Sequence, residues 1–309
     1  MHKVDTVKSN SRAFTMIELI FVIVIMGILS KFGIEFLAQA YNSFIFSKIN
    51  NTLQANSASA LETIGARLQF RIKDSVIVRN PGVSFQGIGD STLGANATVL
   101  EWIGMDVDGF RGDSSPIWRG IIDLDNSNAG LLNTPDTNLT KITNLVAALS
   151  AGASSNGTAS ISNVGDIAIY FIGSDSDIQN GFGWDGAKVT NQDDTMHPVR
   201  MGVNNFFIPQ DHLTATDNNF TGVDVYEYYQ LAWTAYAVAL EGTDLFLYYD
   251  YQPWDGEVYN NVNISSKTLL MENVDTFRFK SVGSVMKLQI CVNSSVLEDY
   301  SLCKEKTIF

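Results

Sequence analysis

The sequence predicts an α+β fold: a long N-terminal α-helix packed on an antiparallel β-sheet, with a large loop- and β-rich insertion extending the head. Three patterns carry that expectation. Leu19 to Ser30 contain no charge, and after Lys31 apolar residues recur at spacings of three and four with no proline before Pro81. Near the C-terminus the period changes to two, as a half-buried strand requires. Between these stretches the composition shifts to Asn, Asp, Gly, Ser and Thr, broken by short apolar islands. The expected divisions are therefore 1–13, a leader peptide; 14–74, the helix; 75–226, the inserted region; and 227–309, the C-terminal sheet with a disulfide-tied tail.

Residues 1–13 are short, polar and net basic, which suits a cytoplasmic leader that sets orientation by its positive charge. A secretory signal peptide is disfavoured, because no small-x-small cleavage site follows the apolar run; Leu29, Ser30, Lys31 and Phe32 stand there instead. From Phe14 to about Ile25 the chain is apolar on all sides, as a lipid-embedded helix must be. Glu18 interrupts that run. A carboxylate in hydrocarbon is costly unless paired, so it marks a functional position, and its cation must come from outside the segment. From Ile34 to Ile72, Leu37, Tyr41, Phe44, Leu53, Leu61, Ile64 and Leu68 share one helical face, opposite Lys48, Gln54, Glu62 and Arg67. A helix of about 60 residues, roughly 90 Å long, is expected, with residues 35–74 as the spine on which the head folds.

In the middle region, Val99–Ile103, Gly120–Leu124 and Asp166–Ile172 read as strands, and Leu139–Leu149 as a short helix. Further on, Glu227–Leu240 and Asp244–Tyr251 read as a hairpin around Glu241-Gly242-Thr243. Phe277 and Phe279 alternate with Arg278 and Lys280, while Met286, Leu288, Ile290 and Val292 alternate with Lys287, Gln289, Cys291 and Asn293. Such a sheet has one buried face that can lie on an amphipathic helix. Cys291 and Cys303 are the only cysteines. Beyond a membrane segment with a cytoplasmic leader they face an oxidising compartment, where a disulfide worth about 3 kcal/mol would tie the C-terminal tail across the outer face. Two unpaired buried thiols are the alternative.

The segment Ala13-Phe14-Thr15-Met16-Ile17-Glu18-Leu19-Ile20 resembles the cleavage and methylation site of the type IV pilin and type II secretion pseudopilin superfamily. That resemblance implies a pilin-like fold, cleavage between Ala13 and Phe14 by a prepilin peptidase, and methylation of the new N-terminus. Ala13 stands where the family usually has Gly. Glu18, the fifth residue counted from Phe14, would attract the N-terminal amine of a neighbouring subunit during assembly. Residues 14–34 would then sit in the membrane first and in a filament core afterwards. The implied partners are other pilin or pseudopilin subunits, the peptidase, an inner-membrane assembly platform and the membrane itself. The implied location is the bacterial inner membrane, single-pass, with the head in the periplasm, and the pilus or pseudopilus after assembly. A second stretch, Leu269–Phe279 following the aromatic hairpin with Trp233 and Tyr236, is similar to the C-terminal region of large minor pilins and J-type minor pseudopilins. It implies a tip or initiating subunit.

Composition narrows the function. The formal net charge is -13, and removing residues 1–13, with Lys3, Lys8 and Arg12 against Asp5, takes it to -15. Such a chain does not bind nucleic acid through its bulk field. Of the three histidines, His2, His197 and His212, one lies in the leader, and no metalloprotease, nucleophile-elbow or phosphate-loop motif is present, so no enzymatic activity and no cofactor are expected. Asp106, Asp108 and Asp113, and separately Asp175 and Asp177, resemble calcium loops but complete neither, since no Glu closes the first and Asn180 replaces the glycine of the second; Asp-Gly turns, common at strand ends, are the favoured reading. Trp184, Trp254 and the Tyr226, Tyr228, Tyr229 cluster would form an adhesive surface if exposed, or core if not. The function expected is a prepilin-like minor subunit acting in filament initiation or at the tip. The alternatives are a filament-displayed adhesin or substrate-binding subunit, and a signal-anchored periplasmic protein without a filament.

Overall fold

The computed structural model describes residues 15–82, 84–150, 166–202, 204–209, 219–261, 265–294 and 300–309. The chain divides into two units, Met1–Thr52 and Leu53–Phe309. One helix, α1 (Met16–Leu68), supplies nearly all the described structure of the first and enters the second. In the first unit every described residue up to Phe44 is exposed, including Phe21 at 66%, Ile34 at 67% and Tyr41 at 66%. The expected spine face therefore does not bury over its full length. On that face Ile45, Ile49 and Leu53 are only partly buried, and Ala60, Leu61, Ile64 and Leu68 are the residues it places in the core. The helix also ends earlier than expected, because the Ile72 N–H donates to the Ile103 carbonyl and Arg71 bridges Gly104.

After a 3-10 turn at Lys73–Ser75 the chain forms β1 (Ile77–Asn80), β2 (Ser84–Gly87) and β3 (Val99–Gly104), and then the short helix α2 (Val107–Arg111). The second group is β4 (Asp123–Asn128), β5 (Leu131–Asn133), α3 (Leu139–Leu149), β6 (Ala168–Phe171), β7 (Met196–Met201), β8 (Phe206–Pro209) and β9 (Tyr229–Ala232). The C-terminal group is β10 (Thr234–Glu241), β11 (Asp244–Tyr251), β12 (Ser266–Met271), β13 (Val274–Val282), β14 (Val285–Asn293) and β15 (Ser301–Ile308). The hairpins β10–β11 and β13–β14 each turn on two residues, with Gly242 and Gly283 at φ 65° and 61° in the first turn position. Glycine takes that conformation without steric cost, as such tight turns favour.

All strand pairs are antiparallel, in three sheets ordered β12-β11-β10-β3-β1-β2, β13-β14-β15 and β4-β5-β8-β7-β6-β9. The first is the middle layer. Val78, Leu100, Trp102, Val238 and Leu247 face α1 and the three-stranded sheet; Ile77, Val99, Ile103, Ala237 and Tyr251 face the opposite way, against Tyr170, Phe182, Trp184 and Met196. Burial on both faces explains why β3 is apolar on both sides apart from Glu101 and shows no alternation. β6 is likewise two-sided: Ala168 and Tyr170 join the second core, while Ile169 and Phe171 join a third core covered by Leu139, Ile142 and Val146 of α3.

Strand membership does not follow the sequence divisions. β1–β3, from the inserted stretch, pair with the C-terminal hairpin. The run expected as one strand from Glu227 to Leu240 splits at Trp233, its first part pairing with β6 and its second with β3. The island Gly120–Leu124 contributes a lone bridge from Ile121 to Tyr228 before β4 starts. The C-terminal tail does not cross the outer face; residues 301–308 are themselves a strand, in register with β14.

Candidate functional site

The first turn of α1 holds Glu18, close to the positive end of the helix dipole. Its Oε2 lies 3.5 Å from both the backbone N and the Oγ1 of Thr15, too far for a strong hydrogen bond. Among the described residues no cation pairs with it. Around it Met16, Ile17, Ile20 and Phe21 are between 58% and 85% exposed. The arrangement is a lone carboxylate presented on an apolar rod, able to accept an amine from a second molecule. Ala13 and Phe14 lie outside the described residues, as do His2 and His212. Among the described residues α1 is the one helix long and apolar enough to cross a membrane.

Residues 8–30 match the family described as the prokaryotic N-terminal methylation motif. Together with the long apolar helix, this match supports assignment of the chain to the type IV pilin and pseudopilin superfamily. The motif and the apolar helix support a membrane-anchored, single-pass pilin-like subunit, and the motif suggests processing by prepilin peptidase and assembly with other pilins. No curated protein and no solved structure matches the chain.

The remaining sequence candidates resolve into structure. Cys291 and Cys303 stand directly opposite each other on β14 and β15 and are joined by a disulfide, with Cα atoms 4.0 Å apart. The bridge staples neighbouring strands on the outer face. Asp106 caps α2: its carboxylate accepts from the Gly109 N–H at 3.2 Å and from the Trp118 Nε1–H at 3.0 Å, and burial pushes its pKa up. Those bonds give Asp106 a capping role in place of the incomplete calcium-loop resemblance noted in the sequence. Asp177 accepts from Gln179 N–H and Asn180 Nδ2 in a local turn. His197 is buried, 3.2 Å from Gln192 Oε1, and desolvation lowers its pKa to about 3, so it is a neutral core group. Trp184 and Trp254 are buried and offer no adhesive surface, and Tyr229 is core, its hydroxyl 2.8 Å from Thr134 Oγ1, whereas Tyr226 is half-buried and Tyr228 is exposed.

Sequence reading missed two charged features. Glu101, in the apolar run of β3, is 1% exposed, paired with Arg79 and accepting from the Tyr251 hydroxyl at 3.0 Å. Desolvation nevertheless pushes its pKa up. The other is a cationic groove on the three-stranded sheet, lined by Arg278, Lys280, Lys287, Gln289 and Glu305. Its alternation was legible; its cross-strand register was not.

Proposed function

We propose that this chain is a minor prepilin-like subunit of a type IV pilus or type II secretion-type pseudopilus. Prepilin peptidase cuts between Ala13 and Phe14 and methylates Phe14, and Glu18 then draws the subunit into the growing filament. Residues 1–13 serve as the leader and residues 14–34 as the membrane anchor that becomes filament core, with the head in the periplasm beforehand. The observation that carries the reading is the lone Glu18 on an exposed apolar helix, inside the matched motif. Before assembly lipid covers that helix; afterwards neighbouring helices do. In either setting an unpaired carboxylate is costly, so the amine of an incoming or resident subunit lowers its energy. A place at or near the tip agrees with the size of the head and with the similarity of Leu269–Phe279 to large minor subunits. The chain performs no chemistry, and the work of extension comes from an assembly ATPase elsewhere.

Competition tests the assembly role. Tagged Glu18→Ala and wild-type chains expressed together should both insert in the membrane with folded heads, while the variant is depleted from sheared or secreted filaments. Equal incorporation of the two would sink the role assigned to Glu18.

A further inference from the structure

The outer face of the three-stranded sheet carries three cations, Arg278, Lys280 and Lys287, against one carboxylate, Glu305. In the β13–β14 register Lys280 stands directly opposite Lys287, with Arg278 two residues along the same strand and opposite Gln289. All three are exposed, and among the described residues none is in an ion pair. Like charges directly opposite each other destabilise a sheet. With Gln289 and Glu305 they line a shallow groove of about 300 Å³. This patch is at odds with a chain of net charge -13.

The complementary charge is on the same molecule. The Asp177 N–H donates to Thr195 Oγ1 at 3.2 Å, and the Met196 N–H to the Gly181 carbonyl at 2.9 Å. These bonds bring the 177–185 loop against 193–196, so that Asp177, Asp185, Asp193 and Asp194 gather. Burial, then Asp193, Asp177 and Asp185 in turn, push the Asp194 pKa up. Among the described residues none of the four is ion-paired, and no group of carboxylates is arranged to hold a metal ion. Phe182 and Trp184 anchor this loop on one face of the six-stranded middle sheet, while Phe277, Leu288 and Ile290 anchor the cationic sheet on the other. The two patches thus project from opposite sides of the middle layer.

We propose that the cationic groove of one head docks the Asp177–Asp185–Asp193–Asp194 cluster of a second copy of this chain. Two different patches meeting head to tail form a heterologous contact that does not close into a symmetric dimer; it requires two copies of this chain side by side, and so rests on the prepilin-like reading but not on a single copy at the tip. An anionic membrane surface is the other occupant to test; it is disfavoured because the whole acidic head would be repelled by it. The contact does not depend on Glu18, so it stands or falls separately from the assembly role proposed above.

Full-length chain in detergent micelles, as a mixture of 15N-labelled and unlabelled copies, is treated with a carbodiimide, which joins an amine directly to a carboxylate. Links between copies should run from Lys280 or Lys287 to members of the aspartate cluster, and Glu18→Ala should leave them unchanged. Lys280→Gln with Lys287→Gln should reduce links between the two patches about fivefold or more, as should high salt, as expected from the loss of two or three exposed ion pairs. Copies carrying Lys280→Glu and Lys287→Glu should link again only when mixed with copies carrying Asp185→Lys and Asp193→Lys. Folding is checked by Tm, which Lys287→Glu alone should raise, since it places opposite charges across the strands. The proposal is overturned if wild type gives no such links, if the double Gln variant loses none of those between the patches, or if these lysines instead mediate binding to phosphatidylglycerol vesicles with no carboxylate links formed.

Discussion

Glu257 shows how one buried carboxylate contributes to the pH response of the head, alongside Asp250, whose pKa burial raises to about 6. It is 5% exposed, its Oε2 accepts from the Gln252 N–H at 2.8 Å, and Asp255 and Asp166 lie nearby, with Lys188 held 2.7 Å from Asp255. Desolvation first, then the neighbouring carboxylates, raise its pKa from 4.5 to about 7. Between those values the folded protein keeps a proton that the unfolded chain has lost. The stability owed to this group is therefore fully present below pH 4.5, falls as pH rises to about 7, and is flat above. Glu257→Gln keeps an acceptor for Gln252 and should remove that slope, making the head more stable at pH 8 by an amount on the order of 1–3 kcal/mol. Parallel pH–stability profiles for the variant and wild type would refute it. Nothing in the sequence around Trp254-Asp255-Gly256-Glu257 separates such a group from a solvated turn, because burial here is set by β-strands far away in the chain. Asp106 teaches the same lesson: its spacing to Asp108 resembles a cation loop, but Trp118, twelve positions on, claims its second oxygen.

For the elements, periodicity fixed what each segment could be, and partners fixed how much of it is used. α3 occupies the stretch Leu139–Leu149 that its pattern indicated, and β13 and β14 alternate as their sequences do. The long helix was legible as a helix, but not where its apolar face meets the head. Ile34 and Ile64 look alike in the sequence, yet one is 67% exposed and the other fully buried. Truncation separates them: Ile64→Ala should cost the head about 2–5 kcal/mol in chemical unfolding, as a buried large-to-small change does, and Ile34→Ala close to nothing. A similar cost at both positions would mean that the face is buried along its whole length. The split of Glu227–Leu240 at Trp233 was not legible, because a run buried on both faces shows no alternation to mark where it changes sheets.

At the scale of the whole molecule, two kinds of surface divide the work. The first unit exposes an apolar helix with one carboxylate, a surface that water does not tolerate and that lipid or neighbouring helices must cover. The second unit buries its apolar residues in three cores and presents charge. The motif in the first was visible in a few residues because its recognition is local. The layering of the second depends on pairings such as Ala235 with Ile103, made across long stretches of chain, and local patterns do not encode them. Processing of the N-terminus is the central expectation. Intact mass and N-terminal sequencing of the chain recovered from membranes of its own host test that directly. A chain beginning at methylated Phe14 is the expected result; a chain still beginning at Met1, in cells with an active prepilin peptidase, would contradict the account.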